Sequence, residues 1–196
     1  MVLLIPVIVG LVAGICRAWI GKRQYRAFEL KLPGLVLLAF IPQYFAFFNT
    51  KSRVQISDSL VSILLVCSLI ILLVFSLFNI KKFSFWPISL GFFLNFFVII
   101  INGGFMPISV ETVEKLIPNS QGTWIVGQRL GYGKDIILTP SLTRLWFLSD
   151  HFTLPTWMHY PVAFSPGDVL ISMGVVWLLW MLGSPVKQDQ KENSHE

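Results

Sequence analysis

The chain has 196 residues, of which 55% are hydrophobic and 13% charged, with a mean hydropathy of +0.72 and a formal net charge of +5. A soluble domain carries about 25% charged residues, so this composition places the chain among all-α polytopic membrane proteins before any motif is read. Its 17 Phe and 7 Trp exclude a disordered, solvated chain.

About 20 apolar residues cross the roughly 30 Å hydrocarbon core as helix. Five spans are expected, near 2–20, 33–48, 60–80, 83–101 and 164–182, within a single membrane domain over 1–184. The first, Val2 to Ile20, has no basic residue ahead of it and is no ordinary signal peptide. Its Gly10 and Gly14 form a small-xxx-small face suited to close helix packing, within the chain or between two copies of it. Cys16 here and Cys67 in the third span lie inside apolar runs and read as small buried hydrophobes. Their number and placement exclude a disulfide framework. The second span, Pro33 to Phe48, carries Gln43. Leu60 to Ile80, the third, has Ser57-Asp58 as an N-cap and Lys81-Lys82 as a stop. Asn95 and Asn102 in the fourth are seven apart and share a helix face. A polar side chain so deep in an apolar run usually faces the bundle interior and bonds another helix.

The segment 102–163 is too long for a connector, and long loops tend to carry function. Asn102-Gly103-Gly104-Phe105-Met106-Pro107 opens it as a tight turn. Ser109 to Ile117 predicts an amphipathic helix along the interface, with Val110, Val113, Leu116 and Ile117 on one face. Trp124 to Leu138 predicts a β-hairpin around Gly131-Tyr132-Gly133-Lys134. Trp146, Trp157 and Tyr160 suit the headgroup layer. The fifth span then begins near Phe164, and 185–196 forms a flexible polar tail.

Charge sets the orientation. Arg17, Lys22, Arg23, Arg26, Lys31, Lys81, Lys82, Lys187 and Lys191 fall on one side. The other side receives Lys51, Arg53, Lys115, Arg129, Lys134 and Arg144, four of them in the long segment, which weighs less. The expected topology in the cytoplasmic membrane has the N-terminus outside and the C-terminus and tail cytoplasmic. The basic residues flank apolar runs and orient helices, so the lipid bilayer is the expected partner and nucleic acid is not.

Acids are scarce, so each one near lipid needs a reason. Asp150 follows Phe147-Leu148-Ser149, and Asp168 follows Phe164-Ser165-Pro166-Gly167. The loop between them leaves one surface and returns to it, so both carboxyls can reach the same depth. Two carboxyls in a shared, partly dry site share a proton and can activate water, one as base and one as acid. The competing reading is structural: Ser165, Pro166 and Asp168 match a helix N-cap with its capping box, and Asp150 is a solvated loop residue. His151 and His159 lie nearby, but their spacing matches no metal motif, and no metal or cofactor is expected. No phosphate loop, dinucleotide fingerprint or nucleophile elbow occurs.

At these residues the chain resembles a bacterial family of small integral-membrane proteins of unassigned function. The resemblance rests on the loop from Gly21 to Leu32, Gly91-x-x-x-Asn95, Asn102-Gly103-Gly104-Phe105-Met106-Pro107, Leu145-Trp146-Phe147-Leu148-x-Asp150, and Phe164-Ser165-x-Gly167-Asp168-Val169-Leu170-Ile171. It implies a membrane protein and no reaction. The C-terminal half is also similar to type II (lipoprotein) signal peptidases, which are intramembrane aspartyl proteases. That likeness implies a catalytic pair of Asp150 and Asp168. Asn95, Asn102, Gly103, Gly104, Arg144 and Ser165 would form the substrate-side support. The departures are Ser165 in place of an asparagine, Pro166-Gly167 before the second Asp, no Asn-x-x-Asp-Arg run, and five spans instead of four.

Three functions are compatible with these residues. The first is an intramembrane aspartyl peptidase-like protein acting on a peptide substrate at the outer face. The second is a non-enzymatic scaffold, assembly factor or subunit that binds another membrane protein. The third is a small-solute transporter component, weakened by the absence of any internal repeat.

Overall fold

The computed structural model describes residues 4–22, 24–25, 29–118, 124–158 and 160–183. Arg23, Arg26, His159 and the expected tail 185–196 lie outside the described residues. The chain is mostly helical. Five longer helices are α1 (Leu4–Ile20), α2 (Gly34–Gln43), α4 (Asp58–Phe78), α5 (Phe85–Ile101) and α7 (Pro166–Met181). Two short ones are α3 (Ser52–Gln55) and α6 (Val110–Leu116).

The helix ends follow local chemistry. Ser57 caps α4 by accepting the Leu60 amide, so the helix starts at Asp58, ahead of the expected Leu60. Its other end comes at Phe78, where the Asn79 amide nitrogen donates to the Phe75 and Lys31 carbonyls and its oxygen accepts from the Lys31 amide. Pro42 removes a donor inside α2, which continues as a π-helical turn over Tyr44–Phe48. Among the described residues α4 alone is long and apolar enough to cross a membrane. The apolar helices Leu4–Ile20, Gly34–Phe48, Phe85–Ile101 and Pro166–Met181 are shorter.

The long helices pack in the order α1, α7, α5, α4, α2. Glycines set the closest approaches. Gly10 and Gly14 of α1 lie against Val176 and Leu179, so the small-residue face serves packing within the chain, and α1 runs parallel to α7. Gly91 of α5 meets the Gly167 carbonyl and Ile171, and Gly174 meets Ile88, which makes α5 and α7 antiparallel. Gln43 donates to Ser68 at 2.6 Å, and Ser68 donates to the Ala39 carbonyl at 2.8 Å, so Gln43 bonds a neighbouring helix as expected. Cys16 and Cys67 correct the sequence reading: both are exposed, because each points away from its helix's neighbours onto an apolar outer face.

In the segment after α5, β1 (Met106–Ile108) pairs in parallel with β2 (Asp135–Ile137). The expected hairpin is reduced to a turn closed by one antiparallel bridge, Arg129 to Ile136. The strand that follows the turn takes β1 as its partner because β1 is buried throughout and supplies the apolar neighbour. Asp150 bridges Ile108 from the other edge of β1. The apolar face of α6 packs through Val113, Val110 and Leu116 on Ile108, Ile137 and Ala163, so the chain itself covers the face that the sequence assigned to a membrane interface. Ile117 stays exposed. Finally β3 (Phe152–Thr153) pairs antiparallel with β4 (Ala163–Phe164) and delivers the chain to α7.

A side chain at position 91 would start 2.5 Å from the Gly167 carbonyl and 2.7 Å from Ile171. Gly91→Val should therefore force α5 and α7 apart and cost about 1–3 kcal/mol. Thermal unfolding of the purified chain reads this, and an unchanged midpoint would show that the helices do not meet there.

Candidate functional site

The residues singled out from sequence converge where α5 ends and α7 begins. Two polar networks meet there. The first belongs to α7. Ser165 is fully buried and accepts the Asp168 amide at 3.1 Å, while the Asp168 carboxylate accepts the Ser165 amide at 3.3 Å. This is the capping box expected from the sequence, with Pro166 at the first helical position. The network extends to α5: Asn95 donates to Asp168 at 2.8 Å and accepts from the Ser165 hydroxyl at 2.8 Å. Gly167 lets this happen, since a Cβ there would collide with the Asn95 side-chain oxygen.

The second network holds Asp150, whose residue is 1% exposed. It is no solvated loop residue. Its backbone is fixed by the bridge to β1, where its amide donates to the Pro107 carbonyl at 3.0 Å. Its carboxylate accepts from Lys134 Nζ at 2.6 Å, and Lys134 also lies 3.5 Å from Asp135. The second carboxylate oxygen of Asp150 is buried without a hydrogen-bond partner among the described residues. Burial pushes the Asp150 carboxyl up to about 7; Lys134 opposes this, and the charges of Asp135 and Asp168 add to it. Lys134 moves upward: its burial disfavours the charge, but the carboxylates of Asp150, Asp135 and Asp168 outweigh that and keep it protonated.

Asp150 and Asp168 feel each other's charge but share no hydrogen bond; each is held by its own partners. The expected support residues divide likewise. Asn95 and Ser165 hold Asp168, whereas Asn102 serves the chain turn. It donates to the Val98 and Arg144 carbonyls, at 2.8 and 2.9 Å, and accepts the Arg144 amide at 2.9 Å. Arg144 thus contributes its backbone to the contact. Gly103 and Gly104 take φ of +85° and +90°, and the Gly104 amide closes on the Ile99 carbonyl, which ends α5. Gly104 also passes so close to Ser62 that a Cβ would lie 2.6 Å from its hydroxyl.

Two cations escaped the sequence reading. Lys134 is one. Arg129 is the other: it is buried, donates to Asp58 at 3.1 Å and to the Gly133 and Tyr132 carbonyls at 2.7 and 2.8 Å, and lies over the Phe105 ring. The available signal was scarcity: both sit beside a glycine-rich turn in a segment with few charges, where each had to find a partner.

Removing Lys134 leaves Asp150 buried beside two other acids. Lys134→Met should cost about 2–4 kcal/mol, toward the low side for a buried pair because a third of the lysine side chain stays accessible. Adding Asp150→Asn should recover most of it, so a thermal double-mutant cycle that comes out additive would dismiss the pair. Asp150 also binds its proton more tightly folded than unfolded, where a carboxyl titrates near about 3.9. That contribution is complete below about pH 4 and is lost as pH rises through about 7. The unfolding temperature should fall between about pH 4 and 7, and Asp150→Asn should flatten the slope.

No curated protein and no solved structure matches the chain. Residues 27–180 hold both networks and, among the described residues, every helix except α1 and the last residue of α7, and they match one family: the chain belongs to the family of unknown function DUF5317.

Proposed function

We propose that the chain is a multi-pass membrane protein whose outer polar residues hold an external platform onto a five-helix bundle, and that its role is non-catalytic, as a scaffold or subunit for another membrane protein. The long apolar helix α4 and the four shorter apolar helices support the membrane reading. So do outward-facing side chains such as Leu37, Ile63 and Met173, more than half exposed, which a bilayer would cover. The distribution of basic residues supports an orientation with the N-terminus outside and the C-terminus in the cytoplasm.

One observation carries the non-catalytic reading: Asp150 and Asp168 are each engaged in fastening backbone elements together, by Lys134 and β1 in one case and by Asn95 and the α7 cap in the other. The platform they fasten exposes Ile125, Leu142, Trp146 and Trp157 by more than half, an apolar set suited to a protein or lipid contact. A second reading, the aspartyl peptidase-like one, draws support from the free buried oxygen of Asp150 and its raised proton affinity beside a second acid. A small-solute transporter gains no support from these contacts.

Asp150→Asn and Asp168→Asn separate the two readings. Under the platform reading Asp150→Asn speeds hydrogen exchange at Met106, Ile108 and residues 135–137, Asp168→Asn speeds it in the first turn of α7, and any variant that still folds complements a deletion strain. Under the peptidase reading exchange is unchanged and complementation is lost. Sedimentation of the intact chain with carbonate-washed membranes tests the membrane assignment by itself.

A further inference from the structure

Between α1 and α7 lies a groove of about 880 Å³, open on one side. Its walls include Ile5, Pro6, Phe164, Met173 and Trp177, and Asp168 is the one charged residue among its lining. The groove follows α7 from Asp168 to Trp180, a helical rise of about 18 Å. Half of a bilayer's hydrocarbon core is about 15 Å. The slot is therefore one leaflet deep, with a carboxylate at the end where α7 starts.

We infer that this groove binds a phospholipid of the outer leaflet whose headgroup carries a primary ammonium, with the ammonium on Asp168 and an acyl chain along α7. The inference rests on the membrane-spanning reading above. Asp168 is suited to the task because its bonds to Asn95 and the Ser165 amide leave lone pairs on both oxygens. The ion pairs among the described residues do not include it. A primary ammonium brings three N–H donors to those lone pairs, whereas a quaternary choline brings none and an anionic glycerol headgroup is repelled. The apolar walls accept the chain, which in a bilayer has no water to displace.

Native mass spectrometry tests this on the full chain, released into detergent from vesicles of equal phosphatidylethanolamine, phosphatidylcholine and phosphatidylglycerol. Retained phosphatidylethanolamine should exceed phosphatidylcholine by about tenfold, the ratio a charge-assisted hydrogen bond supports. Asp168→Asn keeps a capping oxygen and should bring the two to parity. Ser172→Trp fills the groove and should abolish retention of all three while leaving hydrogen exchange of β1 and β2 unchanged. Equal retention in the wild type, or retention untouched by Ser172→Trp, overturns the inference. A dimer mass that Ser172→Trp disperses also overturns it, in favour of a second copy in the groove. If the chain fails to enter the vesicles at all, the membrane reading falls and takes the groove's lipid with it.

Discussion

The contact of α5 with α7 governs the rest of the molecule. Two glycines, Gly91 and Gly167, bring the backbones together, and the space they leave is just wide enough for Asn95 to reach Asp168 and Ser165. A larger residue at either position would separate the helices and strand two buried polar groups, Asn95 and Ser165, at once, and stranded groups cost more than the bonds contribute. With α7 fixed on α5, the strand β4 that feeds it is fixed too, and through β3 the chain back to Asp150. α1 has its main contact on the far side of α7, so even the first helix takes its place from this one junction.

Charge is used sparingly and for fastening. Arg129 joins the platform to the start of α4, and Lys134 joins β2 to the edge of β1 at Asp150. Asn102 ties the end of α5 to the backbone at Arg144, ahead of Leu145, which is held at φ +53°. These ties sit at the chain's turns, where backbone groups leave regular structure and need partners. The interior between the helices relies instead on small residues and on neutral donors such as Gln43 and Ser68. A neutral hydrogen bond avoids the desolvation cost of an ion, which explains the division.

Much of this was legible from sequence. Apolar runs located the five long helices, because four of them hold a nearly unbroken apolar stretch of 16 or more residues. Ser165-Pro166-Gly167-Asp168 announced its capping box, since a cap is a contact within four residues. Asn95 announced a bond to another helix, although its partner had to be seen. What escaped was non-local. The parallel pairing of β2 with β1 joins residues nearly thirty apart, and no turn chemistry encodes it. Lys134 reaches Asp150 across β1, so their meeting depends on a sheet whose register the sequence does not state. Cys16 and Cys67 were misplaced because an apolar run says how hydrophobic a helix is and not which of its faces meets a neighbour.

The parallel seating of α1 on α7 has a consequence for how the chain is made. α1 finds its main partner in α7, far along the chain, where Gly14 waits for Leu179. At about 5–20 residues per second, that wait lasts on the order of ten seconds or more. Through that interval α1 carries an unmated glycine face. A chain cut short before α7 therefore keeps the small-residue face of α1 uncovered, and α7 is what completes the first helix as well as the last junction.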